Sequence, residues 1–283
     1  MASSGQIMRL KKASGWRLYL KTVLARAYPR VVGQQREKSW LFFEIFLPMM
    51  AVSAYVFVYR AIGAPEDFVG FVVVGGAMTA FWINILWSMS SQLYWEKEQG
   101  NLALYIMAPN SMMAVLLGMA LGGLFATSLR AIVIIVLGSW FFQVQYSVIS
   151  FTQLFLVFML TMVSLYGMGM MAASLFLLLS REAWHIANLA QEPIYLVSGL
   201  YFPIRSLNFY VAAAASIIPL TLGLDAMRQL VFETGATFGF LSVAVEIGIL
   251  LALSVVFLWA ARLLLGHMER LAIREGRLTE NRR

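Results

Sequence analysis

Glu96-Lys97-Glu98-Gln99-Gly100-Asn101-Leu102-Ala103-Leu104-Tyr105-Ile106-Met107-Ala108-Pro109-Asn110-Ser111 separates two long apolar runs, Phe68–Ser91 and Met112–Phe142. The segment opens with three charges in four residues, then turns apolar. Gly100 allows a sharp exit from the first run, and Asn101 is a residue type that caps helix N-termini. Pro109 ends whatever helix begins at Leu102, because its ring cannot continue the hydrogen-bond ladder. The pattern predicts a stub of about two helical turns. Leu102, Tyr105 and Ile106, at three- and four-residue spacing, form an apolar edge suited to a groove on a partner.

The flanking runs set the fold class. The chain has 283 residues, of which 61% are hydrophobic and only 12% charged. A soluble domain carries about twice that charge, and the mean hydropathy is +0.78. Six runs reach the roughly 20 residues that a helix needs to cross a bilayer: 39–62, 68–91, 112–142, 149–179, 184–202 and 238–266. Lipid gives the backbone no hydrogen-bond partner, so such runs must be helical. The expectation is an all-α membrane protein with six transmembrane helices.

Basic residues orient it. With the N-terminus inside, Arg9, Lys11, Lys12, Arg17, Lys21, Arg26, Arg30, Arg36, Lys38, Lys97, Arg181 and the tail from Arg262 are all cytoplasmic. Only Arg60, Arg205 and Arg228 fall outside, an asymmetry that places both termini in the cytoplasm. The stretch 206–231 is apolar but interrupted by Pro219. Counting it as a span would put the basic tail outside, so it reads as an external re-entrant element. The division is then 1–38, a cytoplasmic segment; 39–266, the six-span domain with a loop at 94–110 and the re-entrant region at 203–237; and 267–283, a basic tail.

Residues 14–32 place Trp16, Tyr19, Leu20, Val23, Leu24, Ala27 and Val31 on one helical face. Arg17, Lys21, Arg26 and Arg30 flank it, positioned to snorkel to lipid phosphates. Such a helix either transmits motion to the first span or anchors the chain at the surface. The net charge of +7 therefore fits membrane lipids as partners and gives no reason to invoke nucleic acid. Cysteine is absent and there are two histidines, so no metal cluster is expected.

Four ionisable groups interrupt the spans: Glu44, Arg130, Glu192 and Glu246. Each costs on the order of 2–3 kcal/mol at mid-bilayer and should face protein or water. Arg130 needs an anionic partner, with Glu192 and Glu246 the candidates, either as a structural pair or as a polar step on a transport route. Glu192-Pro193 should kink the fifth span. Gly118 and Gly122 form a small-xxx-small pair suited to close helix packing.

The loop resembles that of type-2 ATP-binding-cassette exporter permeases, which read acidic-basic-acidic, any residue, Gly-Thr-Leu-Glu, a short apolar run and Pro-x-Ser. Glu96, Lys97, Glu98, Gly100, Leu102, Pro109 and Ser111 match; Asn101 and Ala103 depart from Thr and Glu. Pro193-Ile194-Tyr195-Leu196-Val197-Ser198-Gly199-Leu200-Tyr201-Phe202-Pro203, followed by Ile218-Pro219-Leu220-Thr221-Leu222-Gly223-Leu224-Asp225-Ala226-Met227-Arg228, is similar to the family's fifth span and external region. The resemblance implies a permease in the cytoplasmic (inner) membrane, with the loop as a coupling helix for two cytoplasmic ATPase subunits that bind ATP and Mg. It implies a second permease, identical or related, and a path at the seam near Tyr195, Ser198, Tyr201 and Phe202. The implied cargo is a hydrophobic or amphipathic drug or lipid, or a lipid-linked glycan.

No Gly-x-x-x-x-Gly-Lys-Ser/Thr occurs in the chain, so it has no phosphate-cradling loop of that kind and is not expected to be an enzyme. An ion-coupled secondary transporter is the competing class. It would more often show inverted repeats, and no matching halves are evident.

Overall fold

The computed structural model describes residues 15–36, 38–108, 111–179 and 182–275. Pro109, the basic tail beyond 275 and residues 1–14 lie outside the described residues. What is described is helical, with no strand among it. In chain order the helices are α1 (Trp16–Arg36), α2 (Lys38–Ala61), α3 (Asp67–Ile83), α4 (Gln92–Glu98), α5 (Asn101–Met107), α6 (Met112–Phe142) and α7 (Phe151–Leu179). After these come α8 (Glu182–Val197), α9 (Phe209–Ala215), α10 (Pro219–Val231), α11 (Gly235–Phe238) and α12 (Val243–Glu275). A π-helical turn at Asn84–Met89 joins α3 to α4, a widening that recurs at functional sites.

Among the described residues, five helices are long and apolar enough to cross a bilayer: Leu41–Ala61, Asp67–Glu98, Met112–Phe142, Phe151–Phe176 and Val243–Arg270. The predicted fifth span differs from the others. Helix α8 has only 16 residues, about 24 Å of rise, and stops where Gly199 adopts a left-handed φ of 68°. Helices α9 and α10 bend through 108° about residues 216–218, and count as one further crossing only if taken as a single broken span.

The Asp67–Glu98 span is the most enclosed of the five, while most of the Leu41–Ala61 and Val243–Arg270 surfaces are open. Large apolar side chains on the open faces, such as Phe42, Phe46 and Met50 on α2 and Val255, Val256 and Trp259 on α12, are what a lipid-facing surface requires.

The beginning of α3 meets α10, which is buried along its whole length. Arg228 lies inside that contact. Its Nη1 donates to the carbonyls of Gly199 at 2.6 Å and Phe202 at 3.0 Å, and its Nη2 to those of Leu200 at 2.7 Å and Phe71 at 2.9 Å. A guanidinium thereby satisfies the carbonyls freed where α8 breaks, which explains a basic residue on the side that charge counting leaves poor in them. Gly75 permits this approach, because a Cβ there would overlap the Leu200 carbonyl oxygen.

Helix α1 differs from the expected surface helix. Its side chains at Thr22 and Val23 are buried, whereas Trp16, Leu20 and Leu24 are exposed. It runs parallel to the first half of α6, with Gly118 against the Val23 carbonyl and Gly122 against that of Ala27. The small-xxx-small pair is thus spent inside one subunit. Arg26 and Arg30 turn inward rather than to lipid phosphates, because acceptors on the second span await them. The helix runs unbroken through Pro29.

Candidate functional site

The second span carries a polar residue every four positions, Asn84, Ser88, Gln92 and Glu96, and the last three bond to α1. Glu96 is 6% exposed. Its Oε1 accepts from Arg26 Nη2 at 2.7 Å and from Gln92 Nε2 at 3.2 Å. Its Oε2 accepts from Asn101 Nδ2 at 3.0 Å and from the Tyr105 hydroxyl at 2.9 Å. The Arg26 guanidinium also stacks over the Tyr105 ring, 4.6 Å from its centroid. One carboxylate therefore ties α1, α4 and α5 together. Burial, and then donation to the Glu96 carboxylate, push the Tyr105 hydroxyl up to about 12, since ionisation would place two negative charges side by side.

Helix α5 spans seven residues, close to the predicted stub, but its faces are assigned differently. Gly100, at φ 77°, occupies the cap position, and Asn101 is the first helical residue. The Asn101 amide serves Glu96 and Gln99 rather than the backbone. Leu102 is 2% exposed and belongs to the main core, with Tyr105 and Ile106 packed half-buried against that core. The free apolar side chains are instead Leu104 at 58% and Met107 at 62%. The predicted edge points into the subunit because Tyr105 is held there by Glu96. Glu98 and Gly100 are exposed as well.

Further along the stripe, Arg30 donates from Nη1 to the Gln92 side-chain oxygen and from Nη2 to Ser88 Oγ. Ser88 and Gln92 also line a cavity of about 600 Å³ between α2 and the second span. Its other walls are Phe43, Glu44, Leu47, Pro48, Ile83, Asn84, Trp87, Ser91 and Trp95. Tyr166 reaches the cavity floor from α7, its hydroxyl donating to Asn84 Oδ1 at 3.1 Å, while Trp87 Nε1 donates to Gln191 of α8 at 2.8 Å. The result is an aromatic and aliphatic chamber with a polar floor, which suits an amphipathic molecule.

The four intramembrane charges are disposed differently from the expectation. Arg130 pairs with Glu44, Nη1 to Oε2 at 2.5 Å, and with neither Glu192 nor Glu246. Glu246 is 0% exposed and accepts from Gln229 Nε2 at 3.3 Å. The same amide serves Asp225 Oδ2 at 3.0 Å and the Leu241 carbonyl at 2.8 Å, so Glu246 is committed to the α10–α12 contact. Glu192 is exposed on α8 and makes no ion pair among the described residues.

The four residues expected on a path do not line the cavity. Ser198 is buried, its hydroxyl donating to the Ile194 carbonyl at 2.5 Å. Tyr201 is buried, stacks on Tyr55 with centroids 4.4 Å apart, and lies with its hydroxyl 3.3 Å from that of Thr79. Its carbonyl accepts from the Tyr59 hydroxyl at 2.9 Å. Tyr195 and Phe202 are half-buried.

A multi-pass bundle with a buried polar junction beneath a short exposed helix, and an amphipathic chamber beside it, points to the class of membrane permeases. A comparison with known families identifies it: the family described as ABC-2 type transporter matches residues 20–232, and the chain belongs to that family. It is accordingly a transmembrane subunit of an ATP-binding-cassette transporter, not its ATPase, and membership implies such an ATPase as partner. A search of curated proteins finds no match.

Proposed function

We propose that the chain is the permease of an ATP-driven exporter, residing in the cytoplasmic membrane with both termini inside and α5 as its coupling helix. Two copies of an ATPase subunit bind ATP and Mg and press on α5 through Leu104 and Met107. The observation that carries this reading is the Glu96 junction. A push on α5 cannot leave α1 and the second span where they are, because one carboxylate holds all three. The junction converts a small displacement of a seven-residue helix into movement at the chamber floor, since Gln92 bonds both Glu96 and Arg30.

A second permease, identical or related, completes the path. Helix α8 supports this, because its exposed Glu192 would be costly against lipid and is accommodated by a watery seam. Leu189 and Leu196 on the same helix are exposed and supply apolar contact there. The chamber's mixture of tryptophans and hydroxyl or amide groups favours an amphipathic cargo, drug or lipid, over a long glycan chain.

Reconstitution of the permease with its cognate ATPase in proteoliposomes tests the reading. ATP turnover should rise with the permease present, and cargo should move only with ATP. Vectorial transport by the permease alone, indifferent to nucleotide, overturns it.

A further inference from the structure

The charges around the chamber do not cancel. Glu44 lines it, and its carboxylate is taken by Arg130. Glu96, one turn beyond Gln92, is taken by Arg26. Arg30 has no carboxylate in ion-pair contact among the described residues. Among the described residues its Nη atoms bond only the neutral Ser88 and Gln92, and its Nε is enclosed with no hydrogen-bond partner. Desolvation lowers its pKa to about 10, so the guanidinium keeps its charge at neutral pH. Among the described residues three guanidiniums thus face two carboxylates, and the excess cation stands one hydrogen bond behind the chamber floor.

An uncompensated guanidinium in a partly desolvated site attracts an anion far more strongly than one in water, and its planar fork suits phosphate or carboxylate oxygens. The apolar part of the lining includes Phe43, Leu47, Trp87 and Trp95, beside the polar Glu44, Asn84 and Ser91. Beside them the outer face of α2 presents Phe42, Phe46 and Met50 toward lipid, an exit for an alkyl chain too long for the chamber.

Building on the permease reading, we propose that this chamber selects amphiphiles with an anionic headgroup. The headgroup sits at Ser88 and Gln92 under the field of Arg30, and the apolar part lies between Trp87, Trp95 and α2. Ser88 and Gln92 move from holding the guanidinium alone to sharing it with the headgroup oxygens.

The test is equilibrium binding to the purified full-length permease in phosphatidylcholine nanodiscs, corrected for partition into empty discs. Three ligands share one chain: dodecyl phosphate, dodecyl maltoside and dodecyltrimethylammonium. Dodecyl phosphate should bind at least tenfold more tightly than either of the others. Arg30→Gln should abolish that preference and Arg30→Lys should retain most of it. Ser88→Asp, which supplies the missing carboxylate and leaves the arginine in place, should remove the preference and decides the matter if Arg30→Gln fails to fold. Phosphatidic acid added to the discs separates two sources of the same chemistry: competition assigns the site to a bilayer lipid, and its absence to a single-chain cargo. Equal or tighter binding of the cationic ligand, or a preference that survives Ser88→Asp, overturns the proposal. No ATPase takes part in this measurement, so its failure is distinguishable from failure of the permease reading.

Discussion

Arg26 and Glu96, seventy positions apart in the chain, meet at 2.7 Å and fasten α1 to the end of the second span. Both side chains are largely enclosed, so the pair is shielded from the water and salt that make surface ion pairs weak. Glu96→Ala removes all four of its hydrogen bonds and leaves the guanidinium without its anion. Thermal unfolding in detergent should show a loss of about 2 kcal/mol or more. Arg26→Met with Glu96→Gln should be less destabilised than the two single changes summed, the non-additivity expected of direct partners. Additive effects would dissolve the junction.

The tyrosine at this junction gives a pH signature. Its neutral form is favoured in the fold, with the hydroxyl raised to about 12 against about 10 for a free tyrosine. Its contribution to stability is therefore fully present below pH 10, and is lost as pH rises through 12 because the unfolded chain releases the proton first. Ultraviolet titration of the folded protein should show a late phenolate phase whose amplitude Tyr105→Phe lowers by one tyrosine. An unchanged late amplitude in the variant would show that Tyr105 titrates with the ordinary tyrosines.

Arg130 and Glu44 make the second pair. Removing one partner of a buried ion pair costs about 3–5 kcal/mol, because the other charge is stranded. Arg130→Met should fall in that range and be repaired in part by Glu44→Gln, while Glu192→Gln and Glu246→Gln bring no rescue. A rescue through Glu192 or Glu246 would contradict the observed geometry. The comparison is made by melting temperature in one detergent for all the variants.

The spans were legible because lipid forces any long apolar run to be helical, and the runs at 68–91 and 112–142 leave no alternative. The stub at 101–107 was legible from its punctuation by Gly100 and Pro109. The inward turn of Arg26 and Arg30 was not. A snorkelling arginine and a buried one look alike on their own helix, and what separates them is the acceptor stripe at Asn84, Ser88, Gln92 and Glu96, some sixty to seventy positions away. That stripe shows a four-residue period in the sequence, but only a fold that lays α1 along it reveals what it is for. The partner of Arg130 was missed for a related reason. The depth at which α2 and α6 cross cannot be read from spacing. The early stop of α8 is likewise tertiary, held by Arg228 from a helix thirty residues on.

Arg228 and Gly75 act as one device and should fail together. A methyl group at Gly75 would displace the Leu200 carbonyl that Arg228 holds. Gly75→Ala should destabilise by about 3 kcal/mol or more through overpacking and a lost charged hydrogen bond. Arg228→Met should do the same, leaving four carbonyls short of a donor. The double variant should be little worse than either alone. Melting temperatures that add would show two independent defects.

The two faces of α5 lead to opposite phenotypes. Leu102 is core, so Leu102→Ala should cost about 2–5 kcal/mol and lower the amount of folded protein. Leu104 and Met107 touch little within the subunit, so Leu104→Asp with Met107→Asp should leave the melting temperature within about 2 °C, as surface changes do. The same double change should cut stimulation of the partner ATPase at least tenfold, since two carboxylates would have to be buried in an apolar groove. Gly100→Val separates geometry from contact. No side chain obstructs a Cβ there, but the left-handed backbone costs a β-branched residue about 1–2 kcal/mol. It should therefore tilt α5 and weaken stimulation, while Gly100→Asn, which tolerates that conformation, should not. Stimulation unchanged in the Leu104 and Met107 double variant would move the docking site off α5.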